Sequence, residues 1–390
     1  MPGKTPPPVQ PLPRSTASPA PERSEAALRG FQQAGDLQVR TAAEFRALVA
    51  EQGLEQAFAS THVVSAADAG FTNQFSLHLG LGPSDPPIRL SQARVNGVEA
   101  LCCGGSELVL PAAGAAVVGA LLKGEAVELA ATGATTPLQP RRELHTRLRL
   151  EQIGMARLAL QRAIGENGIV AVSSASGLTA TTLGPLLGPY ASALHGCGGA
   201  GSIGFTMPGL AQLGPGSPVL VAGTIGWVLG AGGAHQPGVP RSSLGHALAP
   251  GASAAVSVEL HGMDPRWVRP CHFEGQGPAL LVAIAAPVPL LSLAMARQAA
   301  AGPELLEAPV LDLSIPRRLK PSLGRVSYAE LLSGSISLEG RRLRCAPACS
   351  PLLAQEAAEQ LVTELREGRF PLHLPLRGLG GRSTLVPLEG

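Results

Sequence analysis

The stretch Gly275–Ala296, which reads GQGPALLVAIAAPVPLLSLAMA, contains no charged residue and has the length of a membrane-spanning helix. Pro287 and Pro289 lie inside it, however, and two prolines at this spacing would break a helix in mid-span. A buried strand over Ala279–Ala286, followed by a proline-stopped turn and a short helix, fits the sequence better. We therefore predict a buried strand here and no membrane span.

Segments with the patterns of strands and helices alternate outward from this stretch. Val219–Ala222 has the composition of a buried strand, whereas His145–Ile164 and Ser350–Glu367 carry apolar residues at helical spacing. Thr41-Ala-Ala-Glu44 matches the capping box that begins a helix, which we expect over 41–56. Such alternation is typical of layered α/β proteins, so we predict an α/β fold with mixed sheet layers, flanking helices and glycine-rich loops.

The composition changes along the chain and predicts its domain organisation. Residues 1–38 are rich in Pro, Ser and Ala and lack periodic hydrophobicity, which predicts a disordered N-terminal leader. Residues 39–376 show no clear linker and are expected to form one globular domain, with 377–390 as a short tail. The loop-rich stretch 173–216 leaves open a division into two lobes.

The charge balance and the cysteines exclude several classes of protein. The formal net charge is only +2, from 30 basic and 28 acidic residues, which argues against a nucleic-acid binder. The start of the chain lacks the apolar core of a secretory signal, which predicts a cytoplasmic protein with free thiols. The cysteine spacing fits neither a zinc module nor an iron–sulfur cluster, so no metal site is predicted. The six cysteines are Cys102, Cys103, Cys197, Cys271, Cys345 and Cys349.

Five dispersed motifs carry a resemblance to a known family. They are Ser84-Asp-Pro-Pro-Ile-Arg-Leu90, Asn96-Gly-Val-Glu-Ala100, the glycine-rich stretch Gly216–Pro237, Val258-Glu-Leu-His-Gly-Met263 and Ala285-Ala-Pro-Val-Pro-Leu290. In order and rough spacing, from about residue 41 to 376, they resemble the homocysteine-biosynthesis (sulfur-incorporation) family. The resemblance implies synthesis of homocysteine from aspartate semialdehyde and sulfide-level sulfur. It also implies no cofactor in this chain and electrons from a ferredoxin-like iron–sulfur partner.

The first motifs offer a binding site for the amino-acid part of such a substrate. The two prolines after Asp85 hold that carboxylate in a rigid, non-helical turn, where it can bind an amine. A turn-capping role for Asp85 and a plain hairpin turn at Asn96-Gly97 are the structural alternatives. The predicted substrate-binding residues are Ser84, Asp85, Asn96, Glu99, Gly223, Gly226, Gly232 and Gly233. The glycines would let backbone amides approach an anion, or would serve close strand packing instead.

His235 ends the glycine-rich stretch and matches the histidine of the family. The resemblance implies that it transfers protons near neutral pH. A surface histidine, or a structural one with its hydrogen bonds satisfied, is the alternative. The weaker candidate is His261, because the resemblance implies a lysine at that place.

Sulfur chemistry also calls for a cysteine that carries sulfur as a thiolate or a persulfide. The positions at which the family has cysteines are Asn73 and Thr136 in this sequence. Cys102 and Cys103, close to the Asn96 motif, and Cys197, flanked by glycines, are the predicted substitutes.

Two other functions remain open at this point. The absence of cysteine at the two family positions is compatible with a relative that binds a ligand or a partner protein without transferring sulfur. In addition, Glu166-Asn-Gly168 resembles the triad of class I CoA-transferases, in which a carboxylate forms a thioester. The rest of the sequence does not support this second alternative.

Overall fold

Two mixed β-sheets with flanking helices form the computed structural model, which describes residues 22–196, 198–317, 319–383 and 385–388. The strands are β1 (Val39–Thr41), β2 (Val63–Thr72), β3 (Phe75–Leu81), β4 (Leu90–Val95), β5 (Val98–Cys102), β6 (Glu107–Leu110), β7 (Val127–Gly133), β8 (Glu143–Leu148), β9 (Ile153–Gly165), β10 (Val170–Val172), β11 (Gly177–Thr181), β12 (Gly184–Gly188), β13 (Ser192–His195), β14 (Pro218–Val221), β15 (Thr224–Ala231), β16 (Ser253–Glu259), β17 (Val268–Phe273), β18 (Gly277–Pro289), β19 (Glu307–Asp312), β20 (Ser322–Ser327), β21 (Ser335–Leu338) and β22 (Arg341–Pro347). The helices are α1 (Glu25–Ala34), α2 (Ala42–Gln52), α3 (Leu54–Ala59), α4 (Ala115–Leu122), α5 (Ile203–Thr206), α6 (Leu293–Ala299), α7 (Tyr328–Leu332) and α8 (Pro351–Arg366).

The apolar stretch that opened the sequence analysis forms strand β18 of the larger sheet. This sheet has 14 strands in the order β1-β2-β18-β14-β15-β16-β9-β3-β6-β5-β4-β7-β8, with β17 beside β18. Strand β18 pairs antiparallel with β2 from Leu280↔Thr72 to Pro289↔Val63, and the short helix α6 follows. The predicted strand and short helix are confirmed, but the turn expected directly after Ala286 is wrong, because the strand continues through Pro287 and ends at Pro289. Among the described residues no helix is long and apolar enough to cross a membrane.

The smaller sheet has its own hydrophobic core. Its six strands run in the order β20-β19-β10-β13-β22-β21, with β10–β19 and β13–β22 parallel and the other pairs antiparallel. Val172, Val310 and Tyr328 belong to a cluster of buried side chains separate from the main core. The strands β11 and β12 form a two-stranded ribbon between β10 and β13. The mixed sheets and flanking helices confirm the predicted α/β fold.

The capping box predicted at Thr41 and the helix predicted over Ser350–Glu367 are confirmed. At the start of α2 the Thr41 hydroxyl accepts from the Glu44 amide at 3.2 Å, and the Glu44 carboxylate accepts from the Thr41 amide at 2.7 Å. Helix α8 begins after Ser350, whose hydroxyl accepts from the Leu353 amide. The buried face of α8 packs on β2 and β18, which secures the wall of the large sheet beneath the cavity described below.

The helix predicted over His145–Ile164 is wrong, because this segment forms β8 and most of β9. Strand β9 lies inside the large sheet between β3 and β16, and Leu158, Ala159 and Leu160 are all buried. A strand covered on both faces carries a continuous apolar run instead of an alternating pattern. Periodicity alone does not distinguish such a run from a buried helix.

Residues 1–21 of the predicted leader lie outside the described residues, and within 22–38 the structure has helix α1 (Glu25–Ala34). Helix α1 is capped by Ser24, whose hydroxyl accepts from the Ala27 amide at 3.1 Å, and it buries Leu28. Most residues of this short helix are exposed and several are polar, so the composition of the segment does not indicate a helix. In the predicted tail the described residues carry no helix or strand, although Arg382 donates to the Gly232 carbonyl at 2.6 Å.

Candidate functional site

A cavity of ≈ 410 Å³ lies between the two sheets. Strands β2, β9 and β18 supply the wall on the side of the large sheet, and Asn167, Tyr328 and Cys349 line the cavity on the side of the small sheet. The turn between β11 and β12, at Thr182 and Leu183, also lines it. This volume falls within the range of small-molecule sites, so the cavity is the candidate functional site.

Asp68 supplies a negative charge at the cavity wall. It lies near the middle of β2, and its Oδ2 accepts from the Ile203 amide at 3.1 Å. Burial raises the pKa of its carboxyl group to about 6, although the hydrogen bond from Ile203 opposes the shift. Among the described residues no cationic side chain forms an ion pair with it. At neutral pH Asp68 is therefore an anion that lacks a counterion.

Arg162, on β9, supplies a positive charge to the same cavity. Burial lowers the pKa of its guanidinium group from the usual value of 12.5, but the group stays charged at neutral pH. The Arg162 side chain has no hydrogen-bond or ion-pair partner among the described residues. The cavity thus holds two opposite charges that do not pair with each other, an arrangement suited to a zwitterionic ligand.

Cys349 brings a thiol to this cavity. It follows β22 and forms an isolated antiparallel bridge with Gly70 on β2, while the next amide, that of Ser350, donates to the Ala69 carbonyl at 2.8 Å. Burial, and then the nearby Asp68 carboxylate, raise the pKa of the thiol to about 12. The thiol is therefore protonated at neutral pH in the unliganded cavity.

Amide side chains complete the polar part of the cavity lining, which includes Asn73, Gln74, Asn167 and Gln236. Asn167 is held rigidly, because its amide nitrogen donates to the Glu307 carbonyl at 2.9 Å and its Oδ1 accepts from the Tyr328 hydroxyl at 2.9 Å. Asn73 is one of the two positions at which the resemblance implies a cysteine, so that position belongs to the cavity. The other, Thr136, does not line it and instead donates to Gln139 Oε1 at 2.9 Å.

Glu166 lines the cavity, but its carboxylate oxygens are occupied by hydrogen bonds from neighbouring protein groups. Its carboxylate accepts from the Gly209 amide at 2.6 Å, from the Ala252 amide at 2.9 Å and from the guanidinium of Arg241. The side chain is fully buried. A carboxylate with these donors is not presented to a substrate, which argues against the thioester chemistry of CoA-transferases.

The predicted binding residues of the first two motifs lie outside the cavity. Asp85 is exposed, and Ser84 donates its hydroxyl proton to the Pro86 carbonyl at 2.9 Å. Asn96 occupies the turn between β4 and β5 with a φ of 46°, and its Oδ1 accepts from the Glu128 amide. Glu99 forms an exposed ion pair with Arg94 at 2.9 Å. These residues build a hairpin and its surroundings.

The predicted glycines serve turns and close packing. Gly223 has a φ of +85° in the turn between β14 and β15, and Gly226 lies inside β15. A Cβ at Gly232 would lie 2.8 Å from the Ala254 carbonyl carbon, and one at Gly233 would lie 2.5 Å from Gln74 Oε1. The amides of Gly232 and Gly233 already donate to Ser253 and Gln161 carbonyls, so neither is available to an anion.

The predicted catalytic residues are not brought together in the described structure. His235 is buried, and its Nδ1 accepts from the Ser253 amide at 3.0 Å, while its neighbours Ala234 and Gln236 line the cavity in its place. Cys102 and Cys103 lie at the end of β5 and beyond, away from the cavity. Cys197 lies outside the described residues.

Sequence reasoning missed Asp68, Arg162 and Cys349. A usable signal exists for Asp68, which is the one charged residue in the mostly apolar run from Val63 to Ala69. A charge inside a buried strand is costly and marks a functional candidate. Arg162 gives no such signal, because it follows Gln161 in an exposed part of β9. Cys349 carries no local signal, since its place beside β2 depends on the tertiary fold.

The cavity therefore combines an anionic and a cationic side chain with a thiol. No group of three or more His, Cys, Asp or Glu side chains in the described ranges is arranged to hold a metal ion. Residues 37–372 match the model of the family described as homocysteine biosynthesis enzyme, sulfur-incorporation, and the chain belongs to that family.

Two relatives share the name L-aspartate semialdehyde sulfurtransferase. The protein of Methanosarcina acetivorans is 29% identical over 367 residues, which cover 91% of this chain and 71% of the relative. The protein of Methanocaldococcus jannaschii is 28% identical over 386 residues, which cover 91% of this chain and 72% of the relative. No solved structure matches the chain significantly.

Proposed function

We propose that this protein incorporates sulfur into an amino-acid aldehyde, with L-aspartate semialdehyde as the acceptor and homocysteine as the product. The observation that carries the proposal is the presence of Arg162 and Asp68, opposite charges without counterions, in one cavity with a thiol. The family and the names of the two relatives supply the acceptor.

In this proposal the two charges orient the acceptor. The α-carboxylate accepts hydrogen bonds from the Arg162 guanidinium, whose planar fork matches a carboxylate. The α-ammonium group lies against the Asp68 carboxylate. With both ends of the amino acid held, the aldehyde carbon remains free for attack by sulfur, and the reaction gains from proximity and orientation.

The overall reaction needs reducing equivalents. An aldehyde, hydrogen sulfide, two electrons and two protons give a thiol and water, with the carbonyl oxygen leaving as the water. We propose that a ferredoxin-like iron–sulfur partner protein delivers the electrons one at a time. The residues of this chain bind the acceptor, hold the sulfur and restrict access of bulk water to the aldehyde.

One observation favours a second candidate function, that of a ligand-binding protein without sulfur transfer. The cavity position at which the resemblance implies a cysteine is Asn73, which has no nucleophilic sulfur. Such a protein would bind the amino acid through Arg162 and Asp68 and release it unchanged.

An assay with the purified full chain distinguishes the two functions. The protein is incubated with L-aspartate semialdehyde, sodium sulfide and dithionite-reduced methyl viologen, and homocysteine is measured by mass spectrometry. In parallel, calorimetry measures the binding of L-homoserine, which has an alcohol in place of the aldehyde. Homocysteine formation above the protein-free rate is expected. Binding of L-homoserine without homocysteine formation would overturn the first function in favour of the second.

A further inference from the structure

Strand β8 lies at one edge of the large sheet, and no described strand pairs with its outer side. The amide of Gly133, at the end of β7, donates to the Arg142 carbonyl at 2.7 Å. Hydrogen-bonded positions alternate along an antiparallel pair, so the backbone groups of the even-numbered residues of β8 face β7. The backbone N–H and C=O groups of Glu143, His145 and Arg147 therefore point outward from the sheet.

The segments on either side of β8 leave this edge open. The Arg141 guanidinium donates to the Pro86 carbonyl at 3.1 Å, which holds the loop before β8 toward β4. After β8, the Arg149 guanidinium donates at 2.7 Å to the carbonyl of Gly124, which lies shortly before β7. Both flanking segments are thus tied to the side of β8 that faces β7, away from its outer backbone groups.

The other edge strands of the two sheets are shorter or interrupted. Strand β1 has three residues, β17 contains Pro270, and the pairing of β20 with β19 shifts register. Strand β21 has four residues, and its Ser337 amide donates to the Glu330 carboxylate at 2.7 Å. Features of this kind protect a sheet edge from pairing with another chain. Strand β8 has six residues without a proline or a register shift, so its edge is open to such pairing.

The charges on β8 complement a second copy of the same strand. When two β8 strands pair antiparallel about a two-fold axis at His145, Glu143 of each copy lies opposite Arg147 of the other, since both residues are two positions from the axis. Opposite charges at facing positions stabilise antiparallel strands. Arg147 also pairs with Glu128 on β7 at 2.9 Å, whereas Glu143 lies opposite Thr132 and has no cationic partner among the described residues. A second copy supplies that partner.

The apolar layer of the large sheet also ends at β8. Val127 and Leu129 on β7 are fully buried, whereas Leu144 and Leu148, on the same face of β8, are only partly buried against the main core. In the symmetric pairing, Leu144 lies opposite Thr146 of the second copy. The apolar layer would then continue across the axis, and burial of this surface favours association.

We infer that the protein forms a two-fold symmetric dimer in which β8 of one copy pairs antiparallel with β8 of the other. The two large sheets become one continuous sheet across the interface. Every contact in such an interface occurs twice, once from each copy. The outward backbone groups of β8 provide the hydrogen bonds, and the two pairs between Glu143 and Arg147 fix the register.

The test measures the mass of the full chain over a range of concentrations by size-exclusion chromatography with light scattering. We expect the wild type to approach twice the 39.7 kDa mass of one chain as the concentration rises. Glu143→Arg and Arg147→Glu each place like charges opposite each other at two positions, so each should raise the dissociation constant about tenfold or more. The double variant exchanges the two charges and should bring the dissociation constant back to within about threefold of the wild type.

Glu107→Arg is the matched control for charge. It makes the same change on β6, which lies inside the same sheet, and it should dimerise like the wild type. Circular dichroism checks that each variant is folded.

Crosslinking tests the register directly. Residues of a hydrogen-bonded antiparallel pair have Cα atoms about 5.5 Å apart, so the two thiols introduced by His145→Cys would face each other across the axis. The short thiol crosslinker dibromobimane should join them into a covalent dimer. Glu143→Cys is the control, because its two copies would lie roughly 13 Å apart along the strands. The wild type, with its native cysteines, gives the background of the reaction.

A wild type that stays monomeric at every concentration would overturn the inference. A dimer that Glu143→Arg leaves unchanged would also overturn it, as would a double variant that fails to recover. Crosslinking of Glu143→Cys in place of His145→Cys would place the contact in another register and contradict the pairing.

Discussion

Glu166 and Arg241 form a two-point ion pair next to the cavity, and the glutamate side chain is more deeply buried than the arginine side chain. Glu166 Oε2 accepts from Arg241 Nη2 at 3.0 Å, and Oε1 accepts from Nη1 of the same guanidinium. The glutamate side chain is 0% exposed, whereas the arginine side chain is 29% exposed. Loss of the partner should therefore cost more free energy at the buried Glu166 carboxylate than at the partly exposed Arg241 guanidinium.

This difference in burial predicts which substitution in the ion pair lowers the free energy of unfolding more. Arg241→Met leaves a buried, uncompensated carboxylate and is expected to lower the free energy of unfolding by roughly 3–5 kcal/mol. Glu166→Gln leaves a guanidinium that can still reach water, so its cost is expected to be smaller. Urea unfolding followed by circular dichroism measures both. The exposed pair Arg94–Glu99 gives the control, because Glu99→Gln should cost at most about 1 kcal/mol. A cost for Arg241→Met as small as that of the control would contradict the argument.

Arg162→Met is expected to weaken recognition of the acceptor without unfolding the protein. A hydrogen bond to a charged group contributes roughly 1.5–3 kcal/mol, so kcat/KM should fall about 10- to 150-fold, mainly through KM. Arg157→Met is the matched control, since Arg157 is exposed on the same strand and does not line the cavity. Steady-state kinetics with varied L-aspartate semialdehyde measure the effect, and equal losses in the two variants would rule out carboxylate binding by Arg162.

Asp68 predicts a pH dependence of acceptor binding. Because the pKa of Asp68 is raised to about 6, the carboxylate loses its charge, and with it the attraction for an ammonium group, as pH falls through that value. We expect kcat/KM to decrease below about pH 6 in the wild type. Asp68→Asn should give a lower kcat/KM that is flat in this region. Asp85→Asn, which changes the carboxylate that the sequence favoured, should retain the wild-type profile. The reverse pattern would return the binding role to Asp85.

The same raised pKa has the opposite consequence for stability. The folded protein binds a proton at Asp68 more tightly than the unfolded chain, whose pKa is near 3.8. The contribution of Asp68 to stability is therefore greatest below pH 3.8 and falls as pH rises to about 6. Asp68→Asn should be more stable than the wild type at pH 8, and the difference should shrink toward pH 4. Thermal unfolding across this range measures the change, and a less stable variant at pH 8 would contradict it.

Gly232→Ala tests whether the glycine-rich stretch serves packing. A Cβ at Gly232 would meet the backbone of Ala254 and Gln161 at 2.8 and 2.9 Å, so we expect a loss of about 1–3 kcal/mol in the free energy of unfolding. Gly238→Ala is the control, because nothing lies within 4 Å of the added Cβ. Chemical denaturation compares the two. A fully stable Gly232→Ala protein with weakened ligand binding would instead indicate an anion site.

The sequence predicts the fold where local chemistry acts alone. The capping box at Thr41 and the span of α8 depend on neighbouring residues, and Pro289 is the last residue of β18. The helix expected over His145–Ile164 fails because β9 gains its stability from β3 and β16, which lie far away along the chain. Tertiary burial there overrides the helical spacing of the apolar residues.

The residues of the candidate site also differ in how well the sequence alone predicts them. Two of the motifs that carry the resemblance to the family form hairpin turns, as Asn96 and Gly223 show. The charged groups and the thiol that line the cavity come from β2, β9 and the segment after β22, outside the five motifs. Of the motifs, the glycine-rich stretch contributes Ala234 and Gln236 to the cavity.

The pairing of Gly70 with Cys349 also sets when the site can exist during synthesis. The strand that bears Asp68 leaves the ribosome well before Cys349 and the helix that secures the cavity wall. A growing chain can therefore form much of its large sheet while the cavity still lacks part of its wall. A chain that stops before helix α8 would leave the faces of β2 and β18 that this helix covers exposed to solvent.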